Sequence, residues 1–169
     1  MKKILHLALF LGLISAIAGG ALSAVNSVTA PIITANALKA EQSNLEKLYP
    51  GAEFVPMDLN DAPETITKAF EVVGEGVVYK CENQGFKEPI IFLIGISNDG
   101  TFSGYTVLEN NDTSGIGTRV GDAEFSDGFI GKSIDSSIDT LSGATISSTA
   151  VKNAIEAAVA YHQANEEEG

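Results

Sequence analysis

The alternation of apolar and polar positions divides the chain into distinct segments. Lys2 and Lys3 precede a stretch, residues 4–25, that holds no Asp, Glu, Lys or Arg. As a helix this stretch would extend roughly 33 Å, about the thickness of a bilayer core. Helical spacing returns in TANALKAEQSNLEKL (34–48) through Leu38, Leu45 and Leu48, with Pro31 read as the break between the two helices and Tyr49-Pro50-Gly51 as the end of the second. Residues 51–64 contain Pro56, Pro63 and several acids, which suits a loop. GVVYKCE (76–82), PIIFLIGIS (89–97) and FSGYTVLE (102–109) read as strands, and the nearly unbroken apolar run of the second predicts an interior position. Asn98-Asp99-Gly100 is a hairpin turn, so the three strands form a meander. From Thr145 onward, Ile146, Ala150, Val151, Ala154, Ile155, Ala158 and Val159 recur on one helical face, with Ser148, Lys152 and Glu156 opposite.

These segments predict an α+β protein: an N-terminal transmembrane helix, then a small antiparallel sheet packed by helices. The expected divisions are an anchor over 1–30, a juxtamembrane helix over 31–50, a folded domain over 51–165 and an acidic tail over 166–169. Two lysines before the apolar run, and no cation after it until Lys39, place the N-terminus in the cytoplasm and the domain on the extracytoplasmic face. The basic start and the small residues at Ala21-Leu22-Ser23 also suit a cleavable leader; the length of the run favours a retained anchor.

Charge narrows the partners. Ten Lys and Arg against 22 Asp and Glu give a net charge of −12, which repels phosphate backbones and argues against nucleic acid. The single cysteine, Cys81, excludes an intrachain disulfide and reads as a small buried strand residue. His6 and His162 are far apart, and no cluster has metal-ligand spacing.

Two segments carry candidate chemistry. NNDTSGIGTRVGDAEFSDGFIGKS, beginning at residue 110, is rich in Gly, Asp, Asn and Ser; a connection this long is usually functional or disordered, and Phe125 and Phe129, four apart, argue for order around a short helical turn. Its cations, Arg119 and Lys132, are candidates to meet an anionic group. DTLSGAT (139–145) opens the last helix. A helix start exposes unpaired N–H groups and the positive end of the dipole. Gly143 and Ala144 permit close approach of a ligand and Thr145 offers a hydroxyl, although the same residues suit a plain helix cap.

Asp139-x-x-Ser142-Gly143-Ala144-Thr145 resembles the covalent attachment motif of FMN-binding domains. The resemblance implies that the phosphate of FMN is esterified to Thr145 by a separate flavin transferase using FAD as donor. VLENNDTSGIG resembles the family's strand followed by a His and then Glu-Thr-Pro-Gly-Leu-Gly. Thr113, Gly115 and Gly117 match, and Asp112 and Ile116 nearly match. Asn110 stands where His is usual and Ser114 where Pro is usual. Phe129, Gly131 and Lys132 of FIGK also fit. The order of anchor, TAPII, a helix ending in YPGA, strands and SGATISS is similar to that of the G subunit of Rnf-type ion-translocating oxidoreductases. That likeness implies an electron-carrying subunit, not catalytic alone, working with other subunits of a membrane complex. The alternative is a free-standing flavodomain, secreted or anchored, that passes electrons to an external acceptor. The site residues implied are Thr145, Ser142, Gly143, Ala144, Asp139, Thr113, Gly115, Gly117 and Lys132, with no metal. One anchor whose ionisable group is His6 cannot line an ion path, so pumping would belong to partners.

Overall fold

A computed structural model describes residues 2–168 and divides the chain into two compact units, Met1–Ser43 and Asn44–Gly169. The first unit is helical. It belongs to α1, which runs from Lys2 to Leu48 without interruption, so the expected break at Pro31 is absent. One proline removes a single N–H and crowds one carbonyl, and the turns on either side keep their bonds, so the cost falls on one turn of a long helix. Within α1, Leu9–Ser27 is long and apolar enough to cross a membrane. Leu9, Phe10, Leu11, Leu13 and Ile17 are each at least 60% exposed. Apolar surface on every side of a helix needs lipid or protein around it.

The second unit begins with the end of α1, because Leu45 and Tyr49 are buried there. Its frame is a five-stranded antiparallel meander, β1 (Phe54–Met57), β2 (Ile66–Val72), β3 (Gly76–Gln84), β4 (Pro89–Ser97) and β5 (Phe102–Asn110), in that spatial order. The last three are the expected strands. Gly100, at φ 75, turns the expected hairpin. β1 lies inside the stretch read as loop. It is an edge strand, largely exposed, with Pro56 opposite Phe70; an edge needs neither an inward apolar face nor every N–H, so no periodic signal marks it.

β4 is buried on both faces. Ile90, Phe92, Ile94 and Ile96 point into the main core, and Leu93 points into a second cluster with Leu45, Tyr49, Phe70, Val72 and Val78. That explains its continuous apolar run. Two pieces cover the main core. One is α3 (Thr145–Glu168), which lays Val151, Ala154, Ile155 and Ala158 against the sheet with no exposed surface. The other is the segment after β5, a short 3-10 turn (Gly117–Gly121) and α2 (Ala123–Ser126). Phe125 and Phe129 stack edge to face at 5.4 Å inside the core, so the Gly-rich connection is ordered, as its aromatic pair predicts. Cys81 is fully buried. α3 continues through most of the expected acidic tail to Glu168; Gly169 lies outside the described residues.

Two readings of the α3 face are corrected. Ser148 is fully buried, and Ile146 is 58% exposed. Both sit in the first turn, where the Ser148 hydroxyl is taken up by Leu141 and Ala144, so the helical wheel no longer decides which side meets solvent.

Candidate functional site

The site is built at the start of α3. Gly143 takes φ 82, a left-handed conformation that side chains resist, and this lets the chain turn from the 139–142 approach into the helix. The Ala144 N–H donates to the Leu141 carbonyl at 3.0 Å, closing the turn. Buried Ser148 braces it: its Oγ accepts the Leu141 N–H at 3.0 Å and donates to the Ala144 carbonyl at 2.9 Å. The first helical bond runs from the Ser148 N–H to Ala144, so the amides of Thr145, Ile146 and Ser147 have no acceptor within the helix. Thr145 is exposed at this first position. Arg119 reaches the same turn, donating to the Ser142 carbonyl at 2.9 Å and to Glu124 at 2.8 Å. The hydrogen bond and charge of Glu124 push the guanidinium pKa up, so it stays a fixed cation beside the turn.

A cavity of about 420 Å³ opens here, within the range of roughly 300–1,000 Å³ typical of small-molecule sites. Three stretches wall it: Phe86; Asp112, Thr113, Ile116 and Gly117; and Gly143 to Ser147. Phe86, Ile116 and Ile146 are 60%, 50% and 58% exposed, which makes an apolar rim. Polar groups converge below it. Asp112 is 6% exposed and its carboxylate accepts the Ser147 hydroxyl at 2.5 Å and the N–H groups of Phe86 at 2.9 Å and Thr113 at 2.7 Å. Burial alone would push this carboxyl up. The hydrogen bonds from Ser147 and from the amides of Phe86, Thr113 and Lys87 outweigh it and hold the group below the ordinary carboxylate value.

Of the residues singled out in the sequence, Gly143, Ala144, Thr145, Thr113 and Gly117 share this cavity wall. Ser142 lies next to it, with its carbonyl held by Arg119. Gly115, Asp139 and Lys132 are exposed and outside the lining. Lys132 donates to the Gly128 carbonyl instead, so Arg119 is the cation at the turn. Phe86 and Ser147 carried no local signal, because a residue in a short turn and a serine in a helix acquire meaning only from what packs beside them. Asp112 stood in a matching segment, but nothing near it in the chain reveals its partners.

The donor set and shape suit a flavin nucleotide. Unpaired helix-start amides and Arg119 suit a phosphate, and an apolar rim suits a flat aromatic ring. Comparison with known proteins points the same way. The family model for the FMN-binding domain matches residues 85–160, which include all of the cavity wall. The chain is 30% identical over 183 residues to the G subunit of the ion-translocating oxidoreductase complex of Methanosarcina acetivorans, covering 98% of this chain and 97% of that protein. It is 27% identical over 194 residues to the G subunit of the Na(+)-translocating ferredoxin:NAD(+) oxidoreductase complex of Acetobacterium woodii, covering 96% and 93%. The corresponding G subunit of Pseudomonas aeruginosa is 26% identical over 196 residues, covering 98% and 92%.

Proposed function

The chain belongs to the family of G subunits of ion-translocating oxidoreductase complexes, with an FMN-binding domain, and from that premise we propose that it relays electrons through FMN esterified to Thr145 within a membrane complex. The observation that carries this reading is the position of Thr145: an exposed hydroxyl at the first residue of α3, on the wall of a 420 Å³ cavity with an apolar rim. In the proposed attachment, the Thr145 Oγ bonds to the FMN phosphorus of FAD, the pyrophosphate bond breaks, AMP leaves and the hydroxyl proton passes to solvent. A separate flavin transferase performs this step.

FMN supplies one- and two-electron chemistry. The protein supplies the rest. The α3 amides and Arg119 hold the phosphate end, and Phe86, Ile116 and Ile146 shield the ring from water. The ester retains the cofactor on a domain placed outside the cytoplasm. Leu9–Ser27 is the proposed anchor, with Lys2 and Lys3 on the cytoplasmic side. Electrons enter and leave through other subunits, and ion movement belongs to those subunits.

Co-expression with a flavin transferase tests the attachment. Wild type is expected to fluoresce as a flavin band on a denaturing gel and to gain one FMN in intact mass, whereas Thr145→Ala is expected to show neither. A labelled Thr145→Ala chain would move the ester elsewhere. The anchor is tested by alkaline extraction of membranes and N-terminal sequencing: the protein is expected to stay in the pellet and to begin at its own N-terminus, and a chain starting near residues 22–25 would show cleavage.

A further inference from the structure

Three stretches far apart in the chain wall the cavity, and all three end on one side chain. Asp112 Oδ2 accepts the Phe86 N–H and the Ser147 Oγ–H, and Oδ1 accepts the Thr113 N–H. Its own N–H donates to Asn110 Oδ1 at 3.0 Å, and Asn110 Nδ2 donates to the Gly117 carbonyl at 3.1 Å. The chain around it is cut to fit. A Cβ on Gly117 would stand 2.5 Å from Asp112 Cγ and 2.6 Å from Oδ2, and one on Gly85 would stand 2.9 Å from Oδ2. Neither glycine has a positive φ, so backbone conformation does not require glycine at either place. The space is what requires it.

We propose that Asp112 is a positioning residue that fixes the three walls of the cavity relative to Thr145 and thereby restrains the flavin attached there. Each group that meets the carboxylate among the described residues is a donor, so the position needs a group that only accepts. Asparagine would turn an NH₂ toward an N–H. Glutamate would add a methylene in a slot closed by Gly85 and Gly117. Apart from Asn110 at the end of β5, the members of this cluster lie outside the strands, so loss of the clasp should loosen the cavity and leave the sheet folded.

The test has two arms, of which only the second rests on the reading that flavin occupies this cavity. In the first, hydrogen exchange is followed by mass spectrometry on the full chain in detergent, without flavin. Asp112→Asn is expected to speed exchange of segments 85–87, 113–117 and 145–148 together, by about ten- to a hundredfold, with β3 and β4 unchanged. Asp112→Glu should not restore wild-type rates. Gly117→Ala should reproduce Asp112→Asn, but should add less in Asp112→Ala, where the clashes with Cγ and Oδ2 are gone and only that with Cβ, at 2.8 Å, remains. Ser147→Ala, which removes a single bond, should loosen 145–148 alone, and it serves if Asp112→Asn does not fold. Unchanged rates, or an equal rise across the whole domain, would overturn the proposal, as would additive Asp112→Ala and Gly117→Ala effects. In the second arm, flavin anisotropy is expected to fall in ester-linked Asp112→Asn and, less, in Ser147→Ala. Unchanged anisotropy with loosened walls would overturn the restraint of the flavin. A wild type that takes up no flavin would overturn the functional reading and leave the first arm standing.

Discussion

Replacing Ser148 by alanine separates the brace of the attachment turn from the attachment itself. The Ser148 hydroxyl is fully buried, accepting the Leu141 N–H at 3.0 Å and donating to the Ala144 carbonyl at 2.9 Å. Ala144 keeps its backbone bond from the Ser148 N–H, so the damage falls on Leu141, whose N–H loses its acceptor in a buried turn. Stranding such a donor costs about 1–3 kcal/mol. Alanine returns about 0.5 kcal/mol through its better helix propensity. The net loss is about 0.5–2.5 kcal/mol, or a fall in Tm of roughly 2–10 °C for a unit the size of Asn44–Gly169. Thermal unfolding of the detergent-solubilised chain by circular dichroism measures it, with half-buried Thr149→Ala as a control expected to stay within about 0.5 kcal/mol of wild type. The turn that presents Thr145 should also lose its fixed shape, so flavin incorporation in Ser148→Ala should slow although the acceptor hydroxyl is intact. A Ser148→Ala protein as stable as wild type, or a Thr149→Ala protein equally weakened, would refute the brace.

Two further outcomes are open to direct measurement. Because the folded state holds the Asp112 carboxyl below its ordinary value, its contribution to stability is complete above the unfolded pKa of about 3.9 and is lost as pH falls from there through the folded pKa; urea unfolding followed from pH 6 downward should show a steeper acid limit in wild type than in Asp112→Asn, and parallel curves would contradict it. Burial pushes the Cys81 thiol up to about 12 and leaves it no exposed surface, so at pH 8 a maleimide should label it only as the domain unfolds, and labelling of the native chain at the rate of a free thiol would contradict its burial.

The elements written in local periodicity were readable without a structure. The 4–25 run needs no partner to be recognised, since its length and lack of charge are its signal. β4 and α3 announce themselves because burial on two faces, or on one stripe, dictates the residues at each step. SGAT at a helix start is likewise local, a glycine for the left-handed turn and a hydroxyl beside it. Tertiary structure decided what depends on distant contacts. β1 needs only β2 to pair with, and its exposed, proline-bearing edge leaves no pattern. Ile146 and Ser148 changed sides because the first turn of α3 packs against the 141–144 turn. Lys132 and Arg119 look alike in the sequence, and only packing takes one to Gly128 and brings the other to Ser142. Asp112 is the clearest case: its donors come from residues 86, 113 and 147, and the glycines that make room for it from 85 and 117. A sequence specifies such a clasp, yet no window of it displays one, because the energy of a buried carboxylate depends on donors that only the folded chain brings together.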